Sequence, residues 1–169
     1  MKVRVGFSRT NTFISKAIRI ITKSEVSHVY LRIEDEFLGV PLILHSDKHP
    51  GVCVVHAPIF EADNQIIAEF EIEAKLLDYS IRKNFSLLGK EYDRWRLFAW
   101  AWVIAFSRWM KRKLQDPTED PRKLICVDFV LLILNAAKVT NLQPGTMTPK
   151  DLYQFFQENF ETENWKKIK

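Results

Sequence analysis

The order of its hydrophobic patterns limits the folds open to this chain more than any other feature. Between residues 27 and 73 four short runs follow one another: SHVYLRIE, PLILHSD, GVCVVHA and QIIAEFEIE. Each is bounded by turn residues and rich in alternating or β-branched apolar positions, the pattern of a strand. An alternating run, KVRVGF, opens the chain. Strands this close in sequence favour antiparallel neighbours, as a meander or barrel, because a parallel crossover needs a dozen residues or more. After residue 74 the period changes. AKLLDYSIRKNFSLL, which stops at Gly89, then residues 94–113, LICVDFVLLILNAAK and TMTPKDLYQFF all read as helices. Strands grouped first and helices after them indicate an α+β fold, not a doubly wound one.

Local signals refine this outline. NTFISKAIRIITKS predicts an amphipathic helix with Phe13, Ala17, Ile20 and Ile21 on the core side, Lys16, Arg19 and Lys23 opposite, and Asn11 or Thr10 as cap. At the last helix Thr148 is a cap, Pro149 fills the first helical position, and Asp151 completes a capping-box variant. With 169 residues the chain suits one domain, 1–169, long enough to bury a core.

Composition narrows the function classes. A net charge of +4 is too mild to mark a nucleic-acid binder, so no nucleic-acid partner is expected. Two cysteines, Cys53 and Cys126, cannot form a disulfide framework, which suggests a reducing compartment. MKVRVGFSRT lacks the apolar centre of a secretory signal. The uncharged stretch LFAWAWVIAFS has 11 residues. As a helix it would reach roughly 16 Å, half of a bilayer core. These points together lead us to expect a cytoplasmic protein without a transmembrane span. No metal or cofactor is expected, because the histidine and cysteine spacings fit no usual zinc pattern.

Four histidines and two cysteines remain to be weighed. Alternation puts Val29, Leu31 and Ile33 on the core face of their strand and His28, Tyr30 and Arg32 on the other. His45 lies on the neighbouring strand, where two imidazoles can hydrogen-bond and one can orient the other. His49, in the turn DKHPG, reads as a solvated loop residue. Cys126 falls in the first turn of its predicted helix, where free N–H groups and the helix dipole stabilise a thiolate. It also sits among Val127, Phe129, Val130 and Leu131, where a cysteine is an ordinary core residue. Both readings of Cys126 stay open on the residues alone. Cys53, between Val52 and Val54, reads as core.

Four pieces in order carry a family resemblance: SEVSHVYLRI, LILHS with GVCVV, LLGKEYD, and LICVDFVLLILNAA with TPKDL beyond it. Together they resemble the NlpC-like branch of papain-fold cysteine hydrolases in circularly permuted form, the YiiX/YebB-like group. The resemblance runs over about residues 1–156. It implies a permuted papain-like fold, with a small antiparallel sheet or barrel followed by packed helices and an inserted Trp-rich helix at about 94–113. It also implies a Cys-His-His triad without cofactor: Cys126 as nucleophile, His28 as general base, His45 as the polar third member. Tyr92 would help bind the oxyanion. The implied activity is hydrolysis of an amide, in a peptide or cell-wall peptide, through an acyl-enzyme. Where the family usually follows its cysteine with Ser-Glu or Ser-Gly, this chain has Val127 and Asp128, a departure that bears on substrate class.

The Trp-rich stretch RWRLFAWAWVIAFSRWMKRK carries Trp95, Trp100, Trp102 and Trp109 with basic residues at both ends. It reads as a core helix, a lid, or a peripheral anchor in an anionic membrane interface. The anchor would favour an acyl-containing substrate, as in the lecithin:retinol acyltransferase relatives of this fold. Three functions therefore stand as expectations. They are an amide hydrolase, a membrane-associated acyltransferase or lipid hydrolase on the same triad, and a non-catalytic binding module.

Overall fold

The computed structural model describes residues 1–37, 39–47, 50–92, 123–159 and 165–167. The expected helix at 94–113, with its four tryptophans, and His49 lie outside the described residues. The architecture is α+β, as the order of patterns predicts. Strands β1 (Lys2–Arg9), β2 (His28–Glu34), β3 (Leu42–Asp47), β4 (Gly51–His56), β5 (Gln65–Ile72) and β8 (Trp165–Lys167) form one sheet. Its order is β4-β3-β2-β1-β5-β8, and every pairing is antiparallel. The first four strands are the expected meander. β6 (Glu91–Tyr92) and β7 (Lys123–Leu124) form a separate parallel pair.

The connection from β4 to β5 must cross β3, β2 and β1, and it does so through α2 (Ala57–Asp63), which the strand pattern does not predict. Four strand spacings span roughly 19 Å of flat sheet, whereas seven helical residues rise only about 10 Å. The sheet therefore curls around α2. Phe60 of α2 packs its ring on Tyr30 of β2, and the Asn64 side chain accepts a hydrogen bond from Ser8 of β1. Among the described residues the curl does not close into a barrel of strands. The outer edge of β4 is instead taken by the segment before β6: Val52 N–H donates to the Lys90 carbonyl, and Gly89 N–H to the Val52 carbonyl. Gly51, at φ +93°, is required there, since a Cβ would lie 2.0 Å from the Lys90 oxygen.

The opposite sheet face carries the main core. Val3, Val5, Phe7, Val29, Leu31, Ile33, Ala68 and Phe70 point to α4 (Cys126–Ala136) and α5 (Pro149–Asn159). α4 is buried along nearly its whole length, which explains a sequence apolar all round. α3 (Leu77–Asn84) is tied to it by Ser80 Oγ, which donates to the Ile133 carbonyl. At α5 the capping box forms as expected, with Asp151 N–H donating to Thr148 Oγ1 and Asp151 Oδ2 accepting from Thr148 N–H.

One helix differs from its prediction in orientation. α1 (Phe13–Thr22) is capped by Thr12, not Asn11 or Thr10, and it turns its polar residues Ser15 and Thr22 inward. Ser15 Oγ meets Ser27 Oγ at 2.7 Å. Phe13 and Ile20, expected in the core, are 83% and 76% exposed. Among the described residues no helix is long and apolar enough to cross a membrane.

Candidate functional site

β2 and β3 pair only through Leu31–Ile33 and Leu42–Leu44. Toward His28 and Ser46 the ladder stops, and the start of α4 is anchored at this gap. Ser46 Oγ donates to the Leu124 carbonyl at 3.0 Å, and the backbone amides of Val29 and Val127 act on the Cys126 sulfur. Cys126 is the first residue of α4, as expected, with Ile125 as its N-cap. The thiol thus lies against the backbone of the residue after His28. No hydrogen bond joins the Cys126 sulfur to either imidazole.

The two histidines meet on the other face of the same strands. His28 Nε2 lies 3.2 Å from His45 Nδ1, with the rings edge-on at 87°, and Phe60 packs on both. Past His45 the chain of contacts continues, since its Nε2 lies 3.3 Å from Cys53 Sγ. Cys53 is paired across the β3–β4 ladder with His45 and is half-buried, so its expected core role is corrected: it belongs to this polar row. The register itself, His45 opposite Cys53 across a short turn, is the signal that could have found it.

Burial sets the charge states. It lowers His28 to about 3, with the neighbouring His45 adding to the effect, and it lowers His45 against the opposing pull of Asp47. It pushes Cys53 up to about 11. Cys126 is 3% exposed and pushed up to about 12, chiefly by burial. The amides of Val29 and Val127 pull the other way, while the carboxylates of Asp128 and Asp47 add to the rise. Of the two readings left open for Cys126, burial weighs toward the core residue: desolvation outweighs the helix start and holds the thiol neutral. Asp128, third in the helix, is held in place by the Gly145 N–H at 2.7 Å.

Tyr92 reaches this region through its backbone, which pairs with Leu124, two residues before the cysteine. Its side chain lies outside the described residues. No group of three or more His, Cys, Asp or Glu side chains among the described residues is arranged to hold a metal ion. Compared with models of known protein families and with curated proteins, the chain matches none.

Proposed function

We propose that the chain is a thiol-dependent hydrolase of circularly permuted papain type that cleaves an amide bond through Cys126, His28 and His45. One observation carries the reading. The His28–His45 bond, at 3.2 Å, stands at the gap between β2 and β3 where the first turn of α4 holds Cys126 against Val29. With His28 donating to His45 through Nε2–H, that bond leaves Nδ1 to accept a proton.

In the proposed cycle the Cys126 side chain turns through the gap between β2 and β3 toward His28, and Nδ1 takes its proton as sulfur bonds to the substrate carbonyl carbon. The oxyanion is met by the backbone N–H of Cys126, with the Tyr92 hydroxyl added on the strength of the resemblance. The C–N bond then breaks, and His28 returns the proton to the departing amine. Water attacks the thioester, giving its proton to His28, and the carboxylate leaves as Cys126 is reprotonated. His45 holds the His28 ring throughout. Because thiol and imidazole are both neutral at rest, proton transfer accompanies attack instead of preceding it.

A non-catalytic binding module is the second reading, and the burial of Cys126 favours it. Alkylation by iodoacetamide across pH, located by peptide mapping in the protein and in His28→Ala, separates the two. Mapping is needed because Cys53 touches His45 and cannot be replaced without disturbing the row. The hydrolase predicts that an activated acyl ester leaves an acyl group on Cys126, seen by intact mass, and that His28→Ala abolishes it. Amide, ester and acyl-acceptor substrates then rank the reactions. Alkylation of Cys126 only on denaturation, unchanged by His28→Ala and with no acyl adduct, would leave the binding module.

A further inference from the structure

α1 is a surface helix worn inside out. Its inward side carries Ser15 and Thr22, while Phe13 and Ile20 stand in solvent, 83% and 76% exposed, with Ala17 between them half-buried. Two large apolar side chains exposed on one side of a ten-residue helix form an apolar face of the kind that meets a partner. Its flank is basic. Lys16 and Lys23 are exposed, neither makes an ion pair among the described residues, and the first turn has no acidic residue. An apolar face beside uncompensated cations matches the two layers of one partner: the acyl boundary and phosphate headgroups of an anionic membrane.

We infer that α1 docks this protein on an anionic lipid surface, with Phe13 and Ile20 entering the interface and Lys16 and Lys23 facing the headgroups. α1 runs directly from the end of β1 to the start of β2, where His28 stands. Docking would therefore bring the lipid surface to the end of the sheet that holds the histidine pair. The inference does not depend on the thiol chemistry, because it is read from binding alone.

The test is flotation of the full chain with vesicles of phosphatidylcholine alone or with about one third phosphatidylserine. The expected result is binding only to the anionic vesicles, weakened in 1 M salt, where the Debye length falls to about 3 Å. Phe13→Ser/Ile20→Ser should lose binding by about ten-fold or more, and each of Lys16→Gln and Lys23→Gln by about five-fold. All four positions are exposed, and unchanged circular dichroism would certify folding. Absence of binding to anionic vesicles would overturn the inference. So would binding that survives the double variant, which would move the contact to another surface such as 94–113. A concentration-dependent dimer abolished by the same double variant, with no lipid binding, would assign the face to a second copy.

Discussion

The two faces of the sheet are built from the same strands and solve burial in opposite ways. Toward α4 and α5 every inward position of β1, β2 and β5 is apolar, and Phe7 meets the rings of Phe70, Tyr153 and Phe156 at centroid distances of 5.0 to 5.9 Å. Toward α2 the alternate positions of those strands carry Arg4, Tyr30, Arg32, Glu69 and Glu71. They are joined by Tyr30 Oη–H to Glu69 at 2.7 Å, Arg32 Nε–H to Glu69 at 2.8 Å, Arg4 to Glu34 at 2.9 Å, and Arg32 to Glu61. The apolar face gains stability from area and tolerates few voids. The polar face gains little net energy from its pairs but leaves a costly remnant if one partner goes. A site that must hold neutral imidazoles and move protons belongs on the second face, and both histidines are there.

Substitutions can break this comparison at either side. Phe7→Ala should have the largest effect, about 3–5 kcal/mol from lost transfer energy and a cavity among three rings. Urea unfolding reads it directly, and a cost below about 1 kcal/mol would mean that this face is loosely packed. Gly6→Ala comes next. A Cβ at Gly6 would lie 2.0 Å from Cζ of Tyr30, so the ring must leave Glu69. Overpacking of this kind costs about 1–3 kcal/mol. If the polar network is only decoration, Tyr30→Phe alone should cost almost nothing. If it holds the face, Tyr30→Phe should cost about 1–3 kcal/mol because Glu69 loses its hydroxyl partner, and Gly6→Ala/Tyr30→Phe should cost no more than Gly6→Ala, in which the ring has already left Glu69.

The pH dependence separates the faces again, because among the described residues the polar face holds histidines that stay neutral when folded and gain a proton on unfolding below pH 6.5. His28 falls from its ordinary 6.5 to about 3 in the folded protein, so between those values the unfolded chain binds the extra proton. Stability is therefore complete above about pH 6.5 and is lost as pH falls toward 3, at no more than about 1.4 kcal/mol per unit. His45, lowered by the same burial, adds in the same direction. Between pH 6.5 and 5 the denaturation midpoint should drop in the protein and stay flatter in His28→Gln. Equal slopes would mean that His28 is wet in solution.

What the sequence could announce follows the same division. Alternation assigned Val29, Leu31 and Ile33 to one face and His28, Tyr30 and Arg32 to the other, and it led to His45 beside His28. Period-2 geometry fixes a side for each residue whatever covers it. Depth is another matter. The burial that decides between the two readings of Cys126, and holds it as a neutral thiol, comes from packing around the start of α4, which no local pattern encodes. The orientation of α1 failed for a related reason: amphipathicity shows that a helix has two sides, not which side meets the sheet. Cys53 was hidden by its apolar neighbours, because a half-polar residue in a valine-rich strand reads as core until the register of the next strand is known.

The smallest expected effect tests the site most sharply. Cys53→Val preserves volume and should cost under about 1.5 kcal/mol. Yet it removes the only group that fixes the far nitrogen of His45 among the described residues. Two proton arrangements fit the row. With His45 Nε2–H donating to Cys53 Sγ, His28 donates through Nε2–H to His45 and keeps a lone pair on Nδ1. With the Cys53 thiol donating instead, the row reverses, and His28 carries its proton on Nδ1, where it cannot accept one from Cys126. A general base at His28 requires the first arrangement, so nitrogen-15 spectra of the histidines should show Nε2–H tautomers for both rings. Cys53→Val should then release the preference at His45 and lower turnover without changing the fold. Nδ1–H tautomers in the unaltered protein would make Cys53 a lock on the wrong state, and the row a structural device of the polar face instead of a catalytic one.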